Sequence, residues 1–233
     1  MLNERTSQAV PKLSIQHSEF SIIGGSDRMI IAIDGPAGAG KSTIARAAAR
    51  ALGYTYIDTG AMYRGIGVSV MRLGVDTKDR QAVAACLPVP IDTTQAIRTP
   101  EASMAASDMG AIPAVRAYLL EVQRGMARRE ANCILDGRDI GTVVLPDADV
   151  KVFLTAQPEE RARRRWEEQK ARGVGDPYEK VLAEVLARDE QDMNRAEAPL
   201  RPAHDSILLD TTGMSLDESI QALLKIIQSK TDD

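Results

Sequence analysis

Short apolar runs with the look of strands alternate along this chain with longer stretches of helical period. The runs 30–33, 54–57, 134–135, 150–154 and 207–209 are brief and bounded by Gly, Asp or Thr, as strands buried in a parallel sheet are. Between them, 44–52 reads as a helix ended by Gly53, and 178–194 as one with Val181, Leu182 and Val185 on its apolar face. A closing helix over 215–229 turns Leu216, Ile220, Leu223, Leu224 and Ile227 inward. Met104 and Met109 are expected in the core, Cys133 in a buried strand and His204 at the surface. Residues 1–28 have no sustained period and contain Gly24-Gly25, the pattern of a mobile tail, and Met29 is a second candidate start.

Composition narrows the class. With 233 residues, 44% hydrophobic and 27% charged, the chain can bury one full core, and one domain over 29–233 is expected. A net charge of -4 argues against a dedicated nucleic-acid binder, and 3% aromatics against a stacking platform for single strands. Two cysteines without a CxxC make a disulfide scaffold or structural zinc improbable, so a cytoplasmic location is expected. No apolar run is long enough to span a membrane.

The chemistry begins where the first strand ends. Gly35, Pro36, Ala37, Gly38, Ala39, Gly40, Lys41, Ser42 and Thr43 form a G-x-x-x-x-G-K-[ST] loop with a strand before it and a helix after it. Its glycines let backbone N–H groups curl round phosphate, and the helix N-terminus adds partial positive charge. Lys41 would meet the β/γ-phosphates and Ser42 would ligate Mg²⁺, which implies an ATP or GTP site. Thr77-Lys78-Asp79 lacks the spacing of a guanine reader. Asp136 is a single strand-end acid suited to holding Mg²⁺ through water, and Arg138 beside it suits a second phosphate group. Together they favour phosphoryl transfer to a small phosphorylated acceptor.

Five stretches in order carry a family resemblance: 35–43, Asp58 to Arg64, Ser107 to Arg116, Asp136 to Thr142, and Asn194 to Leu200. Together they resemble the bacterial cytidylate kinases from about Met29 to the C-terminus. The resemblance implies an α/β, P-loop nucleoside-monophosphate kinase fold, with a five-stranded parallel sheet flanked by helices. It also implies an inserted monophosphate-binding part at about 60–130 and an arginine-rich lid at about 157–177. The implied substrates are CMP and dCMP, with ATP and Mg²⁺, and a monomer is expected. Another monophosphate kinase, such as a uridylate kinase, and a nucleotide-binding regulator without turnover are the alternatives.

By similarity, Arg64, Arg138 and Arg195 hold the acceptor phosphate, for which a planar and permanently charged fork is suited. Ser107, Arg116 and Asp139 match the family's cytosine readers, and a carboxylate is the natural acceptor for the N4 amino group. The competing role for Asp139 is to cap the following helix. Arg188 and Asp192 match the sugar contacts; with Arg195 they fall on one helical stripe. Arg161 and Arg165, i and i+4 in the lid, are expected to close over ATP, with Arg164 a weaker candidate. In one place the chain departs from the family pattern. The region 86–100, with prolines at 88, 90 and 100, has room for one short hairpin at most.

Overall fold

The structure, a computed structural model, describes residues 28–173 and 175–230. The expected tail, apart from Arg28, lies outside the described residues. Five strands, β1 (Met29–Asp34), β2 (Thr55–Asp58), β3 (Asn132–Gly137), β4 (Val150–Thr155) and β5 (Ile207–Asp210), form a parallel sheet. Their order is β2-β3-β1-β4-β5, so the first strand is central. The alternation of strand side chains supplies two cores. Ala32, Ile57, Cys133 and Leu135 face one side, while Ile31, Ile33, Ile134, Val152 and Leu154 face the other.

Helices cover both faces, as a sheet buried on both sides requires. On one side lie α1 (Lys41–Leu52) and α8 (Leu216–Ser229); the latter opens with a capping box between Ser215 and Glu218. On the other lie α2 (Thr59–Arg72), α3 (Arg80–Cys86), α4 (Pro100–Gly110) and α5 (Pro113–Arg129). Asp58 starts α2 by accepting the Ala61 N–H at 2.7 Å, and Pro113 starts α5, where its missing N–H costs nothing. Two further helices, α6 (Pro158–Ala171) and α7 (Tyr178–Asn194), pack against each other beyond β4. Among the described residues no helix is long and apolar enough to cross a membrane.

Most expected elements are present, with local differences. Helix α1 begins at Lys41, three residues before the apolar period becomes visible at Ile44, because the loop glycines lead straight into it. Residues 87–94 contain no strand, and a 3-10 turn, Gln95–Arg98, precedes α4. Met109 is fully buried, whereas Met104 is 64% exposed. On an 11-residue helix packed mainly against α2, five positions of offset turn the two methionines to opposite faces. Helix α3 and a π-helical turn, Ile140–Val144, carry no visible period and were not anticipated.

Candidate active site

A cleft of about 810 Å³ opens beyond the carboxyl ends of β1, β2 and β3, where open α/β sheets gather their ligands. Its donor side is the loop 35–43. Gly35 has φ +151°, and a Cβ there would sit 1.9 Å from the Leu154 carbonyl oxygen, so no other residue fits the turn out of β1. Gly40, at φ +89°, releases the chain into α1. Ala37, Gly38, Gly40, Lys41, Ser42 and Thr43 line the cleft; Gly35, Pro36 and Ala39 shape the loop from behind. Lys41 is buried and donates from Nζ to the Pro36 carbonyl at 2.8 Å. Burial, reinforced by Arg138, holds its pKa below the lysine range, against the pull of Asp136, Asp192 and Asp34.

Asp136, near the end of β3, binds both flanking elements. Its Oδ2 accepts from Ser42 Oγ at 2.7 Å and its Oδ1 from the Tyr56 hydroxyl at 2.9 Å. Burial raises its pKa and Asp58 adds to this, while Lys41 and the two hydroxyls oppose it. Tyr56 escaped the sequence reading: as the alternate residue of a strand it looks like core, and only β2–β3 pairing brings it to Asp136.

Opposite the loop, basic side chains converge from four elements. Arg64, on α2, pairs with Asp58 at 3.2 Å. Arg138, just after β3, donates from Nε to Asp192 at 2.8 Å. Arg188 lies 3.3 Å from the same carboxylate and also donates to the Ser103 carbonyl at 3.3 Å. Burial alone would raise the Asp192 pKa, but Arg138 and Arg188 outweigh it and hold the carboxyl below its usual range. Arg195 donates from Nε to the Ala198 carbonyl at 2.6 Å, and burial lowers its pKa.

Asp139 is buried between two of these cations. Arg116 Nη2 bonds its Oδ2, and Arg195 Nη2 lies 3.4 Å from its Oδ1. Arg116 also donates to the Tyr63 hydroxyl at 3.3 Å. Asp139 makes no capping bond to the π-helical turn that follows it, so the structural alternative for this residue falls away. Ser107 lines the same end of the cleft and donates to Gln191 Oε1 at 2.6 Å. Arg64, Ser107, Arg116, Arg138, Asp139, Arg188, Asp192 and Arg195 therefore line one cleft together with Ser42, Lys41 and Asp136. Tyr63 and Gln191 also line the cleft; Gln191 continues the stripe of 188, 192 and 195 along α7, which was the available signal.

The arginines expected in a lid divide differently from expectation. Arg161 is only 3% exposed and turns beneath the loop. It donates to the Ala156 carbonyl at 2.7 Å, the Ala37 carbonyl at 3.1 Å and both oxygens of Asp189. Its donors are spent on protein, and it does not line the cleft. Arg165 does line it, with Glu184 at 3.5 Å. Arg164, the weaker candidate, borders the cleft too and donates to the Thr211 carbonyl at 2.7 Å. The physical reason is Asp189, a buried carboxylate on α7 that draws Arg161 inward, a partner invisible from α6 alone.

Comparison with known proteins gives the family of the chain. A sequence-family model described as Cytidylate kinase matches residues 31–229. The chain is 47% identical to the Cytidylate kinase of Carboxydothermus hydrogenoformans, covering 88% of this chain and 99% of that protein. It is 48% identical to the Cytidylate kinase of Paramagnetospirillum magneticum, covering 86% and 98%. Among solved structures, an uncharacterized protein from Eubacterium ventriosum superposes with a TM-score of 0.53 at 14% identity, over 87% of this chain and 99% of that one, a likeness of fold alone. With a family match over nearly all its described residues, and relatives this similar along almost their whole length, the chain belongs to the cytidylate kinase family.

Proposed function

We propose that the cleft transfers the γ-phosphoryl group of ATP to CMP or dCMP, giving ADP and CDP or dCDP. The observation that carries this reading is Asp139, a buried carboxylate held between Arg116 and Arg195 beside Arg138, in the cleft that the phosphate loop also lines. A carboxylate fixed in that way accepts from the N4 amino group of cytosine and is mismatched to the O4 of uracil. The relatives' name supports the same choice.

The loop amides and Lys41 bind the donor phosphates. Arg64, Arg138 and Arg195 hold the acceptor phosphate, whose oxygen is already anionic and needs no general base. Arg116 and Ser107 meet the acceptor groups of the base, and Arg188 and Asp192 the sugar. Residues 60–130 form the monophosphate-binding part and 157–177 the lid. Catalysis on this reading is positioning together with neutralisation of charge on the transferring group. Arg165 and Arg164 border the donor end, while Arg161 keeps the loop in place without touching ATP.

Ser42 and Asp136 fit Mg²⁺. They offer hard oxygen donors 2.7 Å apart, few enough to leave room for the water and phosphate oxygens the ion prefers. Ser42 would hold it directly and Asp136 through water, and the bound ion supplies neutralisation of phosphate charge. An ADP-release assay across CMP, dCMP, UMP, AMP, GMP and dTMP tests the function. Turnover with CMP and dCMP is expected, and activity with none, or a clear preference for UMP, would overturn it.

A further inference from the structure

We propose that Asp34 is a positioning residue that locks the acceptor-reading turn Arg138–Asp139 against the phosphate loop. The inference rests on the assignment of that turn to CMP. Asp34 ends β1, and Gly35 opens the loop directly after it. In the sheet Asp34 is registered against Gly137, after which β3 stops and the chain is no longer held by a ladder. Asp139 follows with φ −149° and ψ 27°, neither strand nor helix.

What fixes the turn is the Asp34 carboxylate. Its Oδ1 accepts the Ile140 N–H at 2.7 Å and its Oδ2 the Gly141 N–H at 2.7 Å, across 106 and 107 residues of sequence. These two N–H groups open the π-helical turn and would otherwise be unsatisfied in a buried place. The residue expected to cap them locally is Asp139 itself, which makes no such bond. Asp34 does the capping from a neighbouring strand, and the Asp139 carboxylate is left free for Arg116, Arg195 and the base.

The environment suits this task. Asp34 is 4% exposed, so neither oxygen is shared with bulk water. Burial raises its pKa to about 6, opposed by the Gly141 and Ile140 N–H groups and by Lys41. The two amides, one on each oxygen, favour the carboxylate form. Among the described residues these two amides are the donors bonded to it, and Asp34 itself does not line the cleft.

Replacing Asp34 by Asn keeps the volume but sets an NH₂ against a backbone N–H. A misplacement of about 1 Å in a site costs on the order of 10²-fold, so Asp34→Asn should lower kcat/KM for CMP by roughly that factor. The loss should appear in KM for CMP and in a smaller CMP:UMP ratio, with KM for ATP staying within about twofold. A merely structural Asp34 would lower the melting temperature and leave the ratio of the folded fraction unchanged; that result overturns the proposal, as does an equal rise in both KM values. The wild-type protein supplies a second arm by amide hydrogen exchange. Slow exchange at Ile140 and Gly141 before CMP is added is expected, and fast exchange that slows only with CMP overturns the proposal even if the variant does not fold. Wild-type enzyme inactive on CMP would refute the assigned function, and the exchange of these two amides would still decide the role of Asp34.

Discussion

Arg161 and Asp189 meet in a buried, two-bonded ion pair, Nη1 to Oδ1 at 3.0 Å and Nη2 to Oδ2 at 2.6 Å. The same guanidinium donates to the Ala37 carbonyl at 3.1 Å, so one residue of α6 ties α7 to the phosphate loop. Breaking a buried pair from one side leaves an uncompensated charge and costs about 3–5 kcal/mol. Asp189→Ala should therefore lower the melting temperature markedly and raise KM for ATP more than KM for CMP. Arg165→Ala, on a half-buried side chain with one distant acid, should leave the melting temperature nearly unchanged and lower turnover. Thermal melts and steady-state kinetics separate the two roles; equal thermal losses would contradict this division.

Lys41 predicts a proton balance for ATP binding. In the protein without nucleotide, burial and Arg138 favour its neutral form and bring its pKa from 10.5 to about 7. Bound phosphates favour the ammonium, so binding raises the pKa and draws a proton from solution at pH values between those two limits. Affinity for ATP should accordingly weaken as pH rises through that window. Calorimetry at pH 8 in buffers of different ionisation enthalpy should report net uptake in the wild type and none in Lys41→Met. Identical uptake in both would assign the proton elsewhere.

Asp139 and Arg138 should fail in different ways. Asp139→Asn presents an amide that can donate to uracil O4, so kcat/KM should fall for CMP and hold or rise for UMP, narrowing the ratio by at least about tenfold. Arg138→Ala removes a contact to the phosphate that both substrates share and should depress them about equally. A CMP:UMP ratio untouched by Asp139→Asn would remove this residue from base recognition.

The acceptor side depends on a close helix crossing. A Cβ on Gly67 of α2 would lie 2.7 Å from the Ala105 Cβ of α4, so the two helices touch through a position with no side chain. Gly67→Val should force them apart at a cost of about 1–3 kcal/mol. Arg64 and Ser107 ride on these helices, so KM for CMP should rise while KM for ATP changes little. A parallel rise in both would mean that the strain spreads through the sheet.

Much of the site was legible along the chain because its signals are local. The loop 35–43 needs glycines at fixed offsets between a strand and a helix, and it lies where that pattern places it. Helix α7 spans Tyr178–Asn194 as its period predicts, which is enough to align 188 and 192, with Arg195 at its end. Resemblance added the residues proposed to bind the acceptor, and the fold brings every one of them to a single cleft.

The sequence by itself determined the five strands, the longest periodic helices, the identity of the phosphate loop and the inward stripe of α8, because backbone preference and hydrophobic period act over a few residues. Tertiary structure decided where the charged side chains spend their donors and acceptors. Arg161 belongs to Asp189, 28 residues away, Tyr56 to Asp136, 80 away, and Asp34 to Ile140, 106 away. A buried charge must find a partner, and an arginine on a basic helix reads the same whether it faces ATP or supports a loop. Which of these it does depends on the carboxylate that parallel strand pairing and helix packing bring beside it.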